Sequence, residues 1–500
     1  MNRYRILPLL SLALLVPIAH VRADEIDRLV AQGMDQLYAV QFDAAARSFD
    51  QAIAADRNDP RGYFFRANVH LWSYLFDKRQ TQLDLFFSMS DKTIAVAEQR
   101  LRGNGNDSRA RLILGMAYGY KTIANARAEN FMAAALSART CYDQLNDLIH
   151  DDPRAYDAYL GLGLFHFLFG SVPKAGQFLA NLNGIKGDAK LGMREIETTA
   201  QRGTYFKTDA QLIVALLDIY YLNDLNRGLG VLEGLAKRYP RNVAMLYAIG
   251  TALSAQNQAD RAIPYFERVA EQGNNDFKVV TDLSMARCGA AYLARNDVAR
   301  AKPYLQRFLK STTDKLWRAY GWYLLGLSFD LEGNHANAVK AYAYVAQAPG
   351  LSPEDRMARR RATLLAKNPM TQTDIAVQRA LNAIGASHYD EIIAGVGSLL
   401  GRRDLTPAQR AQAFYAYGAA LLGKGEYARA IDAFKSAVAT GRHSETWVAP
   451  FSYLHIAECY QKLGDREKSR ANLDLAKDYS GYDNEPQVRF QIERDVTLID

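Results

Sequence analysis

A reaction centre needs reactive side chains that a fold can bring to one point, and the eight His of this 500-residue chain offer none by spacing. His20, His70, His150, His166, His335, His388, His443 and His455 are dispersed. None of them is read as pairing with another His or Cys at three- or four-residue spacing, the interval that would set a zinc-binding pair on one helix face, so no zinc site is expected. His166 stands in an apolar run and reads as a hydrogen-bonded core residue rather than a ligand or base. Glu195 and Glu197 are two apart, so on a helix they point to different faces and cannot share a proton. Gly103-Asn104-Gly105-Asn106-Asp107 lacks the spaced acids and distal Glu of a calcium loop and reads as a turn between helices. There is no Gly-x-Ser-x-Gly elbow, no Gly-Lys-Ser/Thr phosphate cradle and no dinucleotide fingerprint after a strand. The chain reads as non-catalytic, with no cofactor and no metal.

The elements around those residues point to an exported binding protein. Arg3 and Arg5 precede an apolar stretch, Ile6 to Ala19, that is too short to span a bilayer comfortably. Val21-Arg22-Ala23 puts small residues where a signal peptidase requires them. Residues 1–23 therefore read as a signal peptide cut after Ala23, and the mature chain is expected to be periplasmic or secreted. No later apolar run is long enough to span; the longest is Tyr159 to Val172. Without the leader's three Arg the net charge falls from +7 to +4. That is too weak a charge for a nucleic-acid footprint. Cys141, Cys288 and Cys459 sit far apart in helical patterns and read as three buried thiols.

Internal periodicity is the strongest signal. Phe414, Tyr417, Gly418 and Leu421 form one helical face. Gly425 turns the chain, and Tyr427, Ala430, Phe434 and Ala437 form a second face. Two short amphipathic helices so joined make a hairpin that cannot bury both faces alone. The template recurs at Trp322, Leu325, Gly326, Phe329, Gly333, Ala338, Tyr342, Val345 and Pro349. It recurs again at Leu246, Ile249, Gly250, Leu253, Ala262, Phe266 and Val269, and at Met285, Cys288, Gly289, Tyr292, Ala301, Leu305 and Phe308. Partial copies begin at Phe42 and Leu225, and a weaker one at Tyr453. This pattern resembles the tetratricopeptide repeat. The resemblance implies an all-α superhelix of antiparallel helix hairpins that mediates protein–protein contact.

The pattern departs between residues 61 and 200, where residues 63–150 read as longer helices. Gly161-Leu162-Gly163-Leu164-Phe165, followed by Gly184-Ile185-Lys186-Gly187-Asp188 and Gly192, lies within 153–200. That segment resembles the divergent tetratricopeptide family of mitochondrial outer-membrane and inclusion-body-clearance proteins. Near 349–376, Ser352-Pro353-Glu354-Asp355 reads as a capped helix start. Arg356, Arg359, Arg360 and Arg361 then give that helix a basic, solvated face. The expected organisation is a signal peptide over 1–23, divergent helical repeats over 24–200 and tetratricopeptide repeats over 201–350. A basic connecting helix over 351–376 and C-terminal repeats over 377–500 complete it.

First helices of stacked hairpins line the concave side. The residues just outside their packing positions are Tyr247, Tyr320, Tyr323, Tyr415 and Phe451, with Asp330, Glu458 and Gln461 nearby. Rings with polar tips favour partner contact, and the same rings can equally pack between hairpins. Lys and Asn, which grip a C-terminal carboxylate in this family, are absent from those positions. The expected function is an exported scaffold or adaptor for protein partners in the cell envelope. The competing reading is a binder of a small hydrophobic molecule or a glycan, with residues 160–172 as a pocket wall.

Overall fold

The computed structural model describes residues 15–170, 187–222, 224–272, 277–441 and 446–499, with side chains from Asp24 to Val496 apart from residues 76 and 77. These residues form twenty-four helices and no strand. The chain divides into two compact units, residues 1–242 and 243–500. This division follows packing and falls elsewhere than the repeat-based boundaries at 200, 350 and 376.

The first unit runs α1 (Leu15–Tyr38), α2 (Phe42–Ala55), α3 (Pro60–Asp77), α4 (Gln80–Gly103), α5 (Ser108–Arg127) and α6 (Phe131–Asp151). It continues with α7 (Ala158–Gly170), α8 (Ala189–Arg202), α9 (Lys207–Tyr220) and α10 (Leu225–Arg238). The expected cut after Ala23 falls within the span of α1. Each odd-numbered helix pairs with the next as an antiparallel hairpin. Asp107, Asn130, Asp188 and Asp224 cap helix starts by accepting a backbone N–H of the first turn. The Gly103–Asp107 stretch is therefore a linking turn.

The second unit opens with α11 (Val243–Ala255), α12 (Ala259–Gln272), α13 (Lys278–Ala294), α14 (Val298–Ser311), α15 (Arg318–Leu331) and α16 (His335–Gln347). A lone α17 (Pro353–Leu365) follows, and then α18 (Gln372–Ile384), α19 (Tyr389–Leu400), α20 (Pro407–Gly423) and α21 (Tyr427–Gly441). α22 (Val448–Lys462), α23 (Arg466–Lys477) and α24 (Glu485–Ile499) complete it. Full capping boxes start α17, α18 and α20. Gly333, Gly425 and Gly464 end first helices at positive φ, a conformation that glycine adopts without strain.

One contact repeats through both units. A side-chain carbon added at Gly33, Gly250, Gly289, Gly326 or Gly418 would collide with Phe49, Phe266, Leu305, Tyr342 or Phe434 respectively. Each partner lies sixteen residues on, in the second helix of the hairpin. The ring or Leu fills the space the glycine leaves, and all five partners are at most 3% exposed. Small-against-large packing is what holds each hairpin closed. The pair Gly33 and Phe49 shows that α1 belongs to a hairpin of this kind, although the repeat pattern of the sequence begins only at Phe42.

The ends of the first unit meet. Tyr38 Oη donates to Asp209 at 2.6 Å, and Asn242 Nδ2 donates to the Tyr38 carbonyl at 2.9 Å. Tyr239 Oη and Arg238 both reach Asp35. Phe64 of α3 touches Tyr120 of α5 and Phe206 just before α9, at ring centroids 5.4 and 5.8 Å apart. The first and last of the five hairpins therefore touch through side chains, and the concave side of the row becomes a partly enclosed cavity. Within the second unit the row breaks at α17. The end of α18 docks back on earlier turns instead: Ala259 N donates to the Gly385 carbonyl, and Asn382 Nδ2 donates to Asn296 Oδ1. α17 and the start of α18 both lie within residues 351–376.

Candidate functional site

The second unit carries a groove of about 490 Å³. Its floor comes from α13, α15 and α18 through Leu293, Leu324, Leu327 and Leu381. Tyr320 and Tyr323 line one side, and Tyr415, Trp447 and Phe451 the other. Local geometry explains why these rings face in. Asp355, fully buried, accepts the backbone N–H groups of Trp317 and Tyr320, which fixes the start of α15. Tyr320 stands edge-on to Trp317 and stacks on Tyr323. Across from them, Trp447 packs edge-on against both Tyr415 and Phe451, at 4.9 and 5.8 Å between centroids. Phe451 in turn meets Tyr482.

Four of the five rings singled out from sequence therefore share one groove. Tyr323 and Tyr415 are largely buried, and Tyr320 and Phe451 are half-buried. Tyr247 is not a lining residue; its hydroxyl accepts from Arg287 Nε at 3.0 Å. Arg287 also lies 4.3 Å over the Trp317 ring. Asp330 is not a groove residue either. It is 2% exposed and holds Tyr342 Oη and His335 between α15 and α16. A carboxylate close in phase to a groove ring points into the hairpin seam, a distinction that spacing alone does not make. Glu458 bonds His455, and neither it nor Gln461 lines the groove.

Sequence reasoning missed Trp447, Asp483 and Asn484, which belong to no repeat position, and it gave Arg361 only a solvated role. Arg361 instead pairs with Asp483 at 3.1 Å and lies 5.7 Å over the Trp447 ring. Arg360 joins the same carboxylate and donates to the Gly481 carbonyl. Arg359 caps the end of α16 through the Ala346 and Ala348 carbonyls. The basic face of α17 thus holds neighbouring segments. Three buried polar atoms, Trp447 Nε1 and Asn484 Oδ1 on lining residues and Tyr482 Oη behind Phe451, are closed to solvent and have no hydrogen-bond partner among the described residues. Burial also pushes the Tyr482 hydroxyl up to about 12, so it stays a neutral donor.

Other chemistry-bearing residues bond to neighbouring elements. His166 Nδ1 bonds Glu195 at 2.6 Å inside the α7–α8 hairpin, while Glu197 faces Arg227. His455 and Cys459 stand four apart on α22, which corrects the expectation that no His has a Cys at that spacing. Burial pushes that thiol up to about 12, and His455 is engaged by Tyr415. All three Cys are free and buried. Among the described residues no group of three His, Cys, Asp or Glu is placed to hold a metal ion. No helix among them is long and apolar enough to cross a membrane.

The first unit holds a second concavity, a half-open chamber of about 280 Å³. Leu71, Met116, Ile123, Leu160, Leu164, Phe165 and Ile213 line it from α3, α5, α7 and α9. Its wall includes part of the 160–172 segment; residues 171 and 172 lie outside the described residues. Among the described residues the only carboxylate in the lining is Asp209, 8% exposed. Burial raises its pKa to about 6; the Tyr38 hydrogen bond opposes this, and the Asp157 charge adds to it. Folded protein therefore binds this proton more tightly than the unfolded chain, so the group's contribution to stability falls as pH rises from about 4 to 6. Asp209→Asn keeps an acceptor for Tyr38 and removes the charge. It should match wild type at pH 4 and exceed it by about 2–3 kcal/mol at pH 7.5, measured by denaturant unfolding at both pH values.

Stacked amphipathic hairpins with an aromatic groove define a repeat scaffold for protein–protein contact. The chain is a tetratricopeptide repeat protein: the tetratricopeptide repeat family model matches residues 30–71, 217–277, 289–353 and 377–445. Among solved structures, a tetratricopeptide repeat protein from Parabacteroides merdae is 13% identical, over 58% of this chain and 98% of its own, with a TM-score of 0.25. The anaphase-promoting-complex hetero-tetramer Cut9–Hcn1 is 14% identical, over 96% of this chain and 98% of its own, with a TM-score of 0.23. No curated protein matches the sequence significantly.

Proposed function

We propose that this chain is an exported, non-catalytic scaffold of the cell envelope, periplasmic or secreted, that holds an extended segment of a protein partner in the groove of the second unit. The observation that carries the reading is the gathering of Tyr320, Tyr323, Tyr415, Trp447 and Phe451 in one groove. Rings bury much area at low entropy cost, which suits them to hold the side chains of an extended peptide. Leader-like residues 1–23 support export.

Two measurements test this. Protein recovered from an envelope fraction should begin at Asp24; an intact Met1 in that fraction would contradict cleavage. Affinity capture with the wild type should recover a specific protein that the Tyr320→Ala/Phe451→Ala double variant loses. Binding should weaken about 30-fold or more, as for interface hot spots. Trp447→Ala removes a ring of the groove lining and should weaken binding about tenfold or more. Equal recovery by wild type and the double variant would sink the groove as the binding site.

A further inference from the structure

We infer that the chamber of the first unit binds a small uncharged hydrophobe, independently of any protein held by the second unit. Among the described residues its lining contains no Lys, Arg or His, so nothing there would compensate an anionic ligand. The single carboxyl, Asp209, would repel one. Sugar hydroxyls would find only Asp209, Thr122, Tyr120, the Trp72 indole and the Cys141 thiol among aliphatic and ring carbon, too few polar groups for a glycan. An apolar guest replaces water that such walls cannot hydrogen-bond. The space, about 280 Å³, is nearly twice the roughly 150 Å³ of an engineered apolar cavity that takes benzene. It therefore suits a bicyclic or medium-chain molecule rather than a two-tailed lipid.

Access and orientation follow from the same residues. Leu75, Ile123 and Leu168, 37%, 44% and 60% exposed, form an apolar mouth at the chamber's edge. Asp209, anchored by Tyr38, offers one polar contact to a guest's N–H or O–H. Contact between the first and last hairpins keeps the walls in place, because α1 and α9 are tied by that same hydrogen bond. The guest is thus mostly carbon, neutral, and carries at most one donor.

N-phenylnaphthylamine meets those terms, and anilinonaphthalene sulfonate is nearly the same molecule with a negative charge. Titrated into the full chain, the neutral probe should bind saturably at one site, and about tenfold or more tighter than the sulfonate. Leu164→Trp and Leu212→Trp fill the chamber and should each weaken the neutral probe about tenfold or more. Tyr320→Ala, in the other unit, should leave it unchanged. On wild-type protein, an uncharged aryl diazirine should label peptides of α5, α7 and α9, and the neutral probe should suppress that labelling. The inference fails if binding is unsaturable, if the sulfonate binds as well, or if label spreads over both units. It also fails if only a co-purifying polypeptide suppresses the label, which would assign the chamber to a protein side chain. Should the Trp variants not fold, the wild-type labelling pattern decides.

Discussion

Arg61→Met should destabilise the first unit by about 3–5 kcal/mol, the range for removing one partner of a buried ion pair. With about 2–4 °C lost per kcal/mol for a unit of this size, the melting temperature should fall by about 6–20 °C. Arg61 is 1% exposed and the largest fully buried side chain among the described residues. It holds Asp59 through two side-chain hydrogen bonds, reaches Asp27, and donates to Tyr205 at 3.1 Å. Tyr205 Oη also donates to Asp27, so one guanidinium ties α1, α3 and the approach to α9 together. Burial pushes Asp59 upward, but its bonds and charge contact with Arg61 outweigh that and hold the carboxyl below its usual range. Without Arg61 a buried carboxylate is left with only Arg100, 3.5 Å away. The Arg61→Met/Asp59→Asn pair keeps the acceptor that caps α3 and removes the stranded charge. It should recover a large part of the loss in thermal unfolding. The single variant's deficit should also shrink as pH falls and Asp59 protonates.

Gly192→Ala should cost about 3 kcal/mol or more, at or beyond the upper end for forcing volume into packed structure. A methyl there would collide with the Phe167 backbone nitrogen and stand 2.5 Å from the Gly163 carbonyl oxygen. At Gly163 an added carbon would stand 2.7 Å from the Gly192 carbonyl oxygen. Helices α7 and α8 thus meet backbone to backbone, and no rotamer change can relieve the clash. By contrast, Gly230→Ala on α10 has open space around it and should stabilise slightly through helix propensity. Denaturant midpoints of the two variants should move in opposite directions.

Much of the architecture is legible locally. The Gly-to-ring spacing within a hairpin is a property of neighbouring segments, so Gly418 with Phe434 and Gly326 with Tyr342 can be read from the residues alone. The Gly161–Gly163 and Gly187–Gly192 clusters stand out as a motif; Gly163 and Gly192 serve the close crossing of α7 and α8, whereas Gly161 makes room for Leu145 of α6. Contact between the ends of the first unit is not legible. Asp35 and Tyr239, or Arg61 and Tyr205, are far apart in the chain, and each alone looks like a solvated surface residue. The groove is half legible for the same reason. Tyr320, Tyr323, Tyr415 and Phe451 follow from helical phase, whereas Trp447 and Asp483 arrive from connections with no period. Asp330 shows the limit of phase: a small rotation about the helix axis separates a groove position from a seam.

The most direct test of the scaffold reading places a photoreactive benzoylphenylalanine at Phe451, half-buried in the groove, and separately at Phe490, 52% exposed on α24 and away from the groove lining. Irradiated in cells, the Phe451 probe should give one adduct of discrete mass with a single protein, and the Phe490 probe should not. The same adducts from both positions, or none from Phe451 in a folded chain, would contradict the claim that this groove holds the partner.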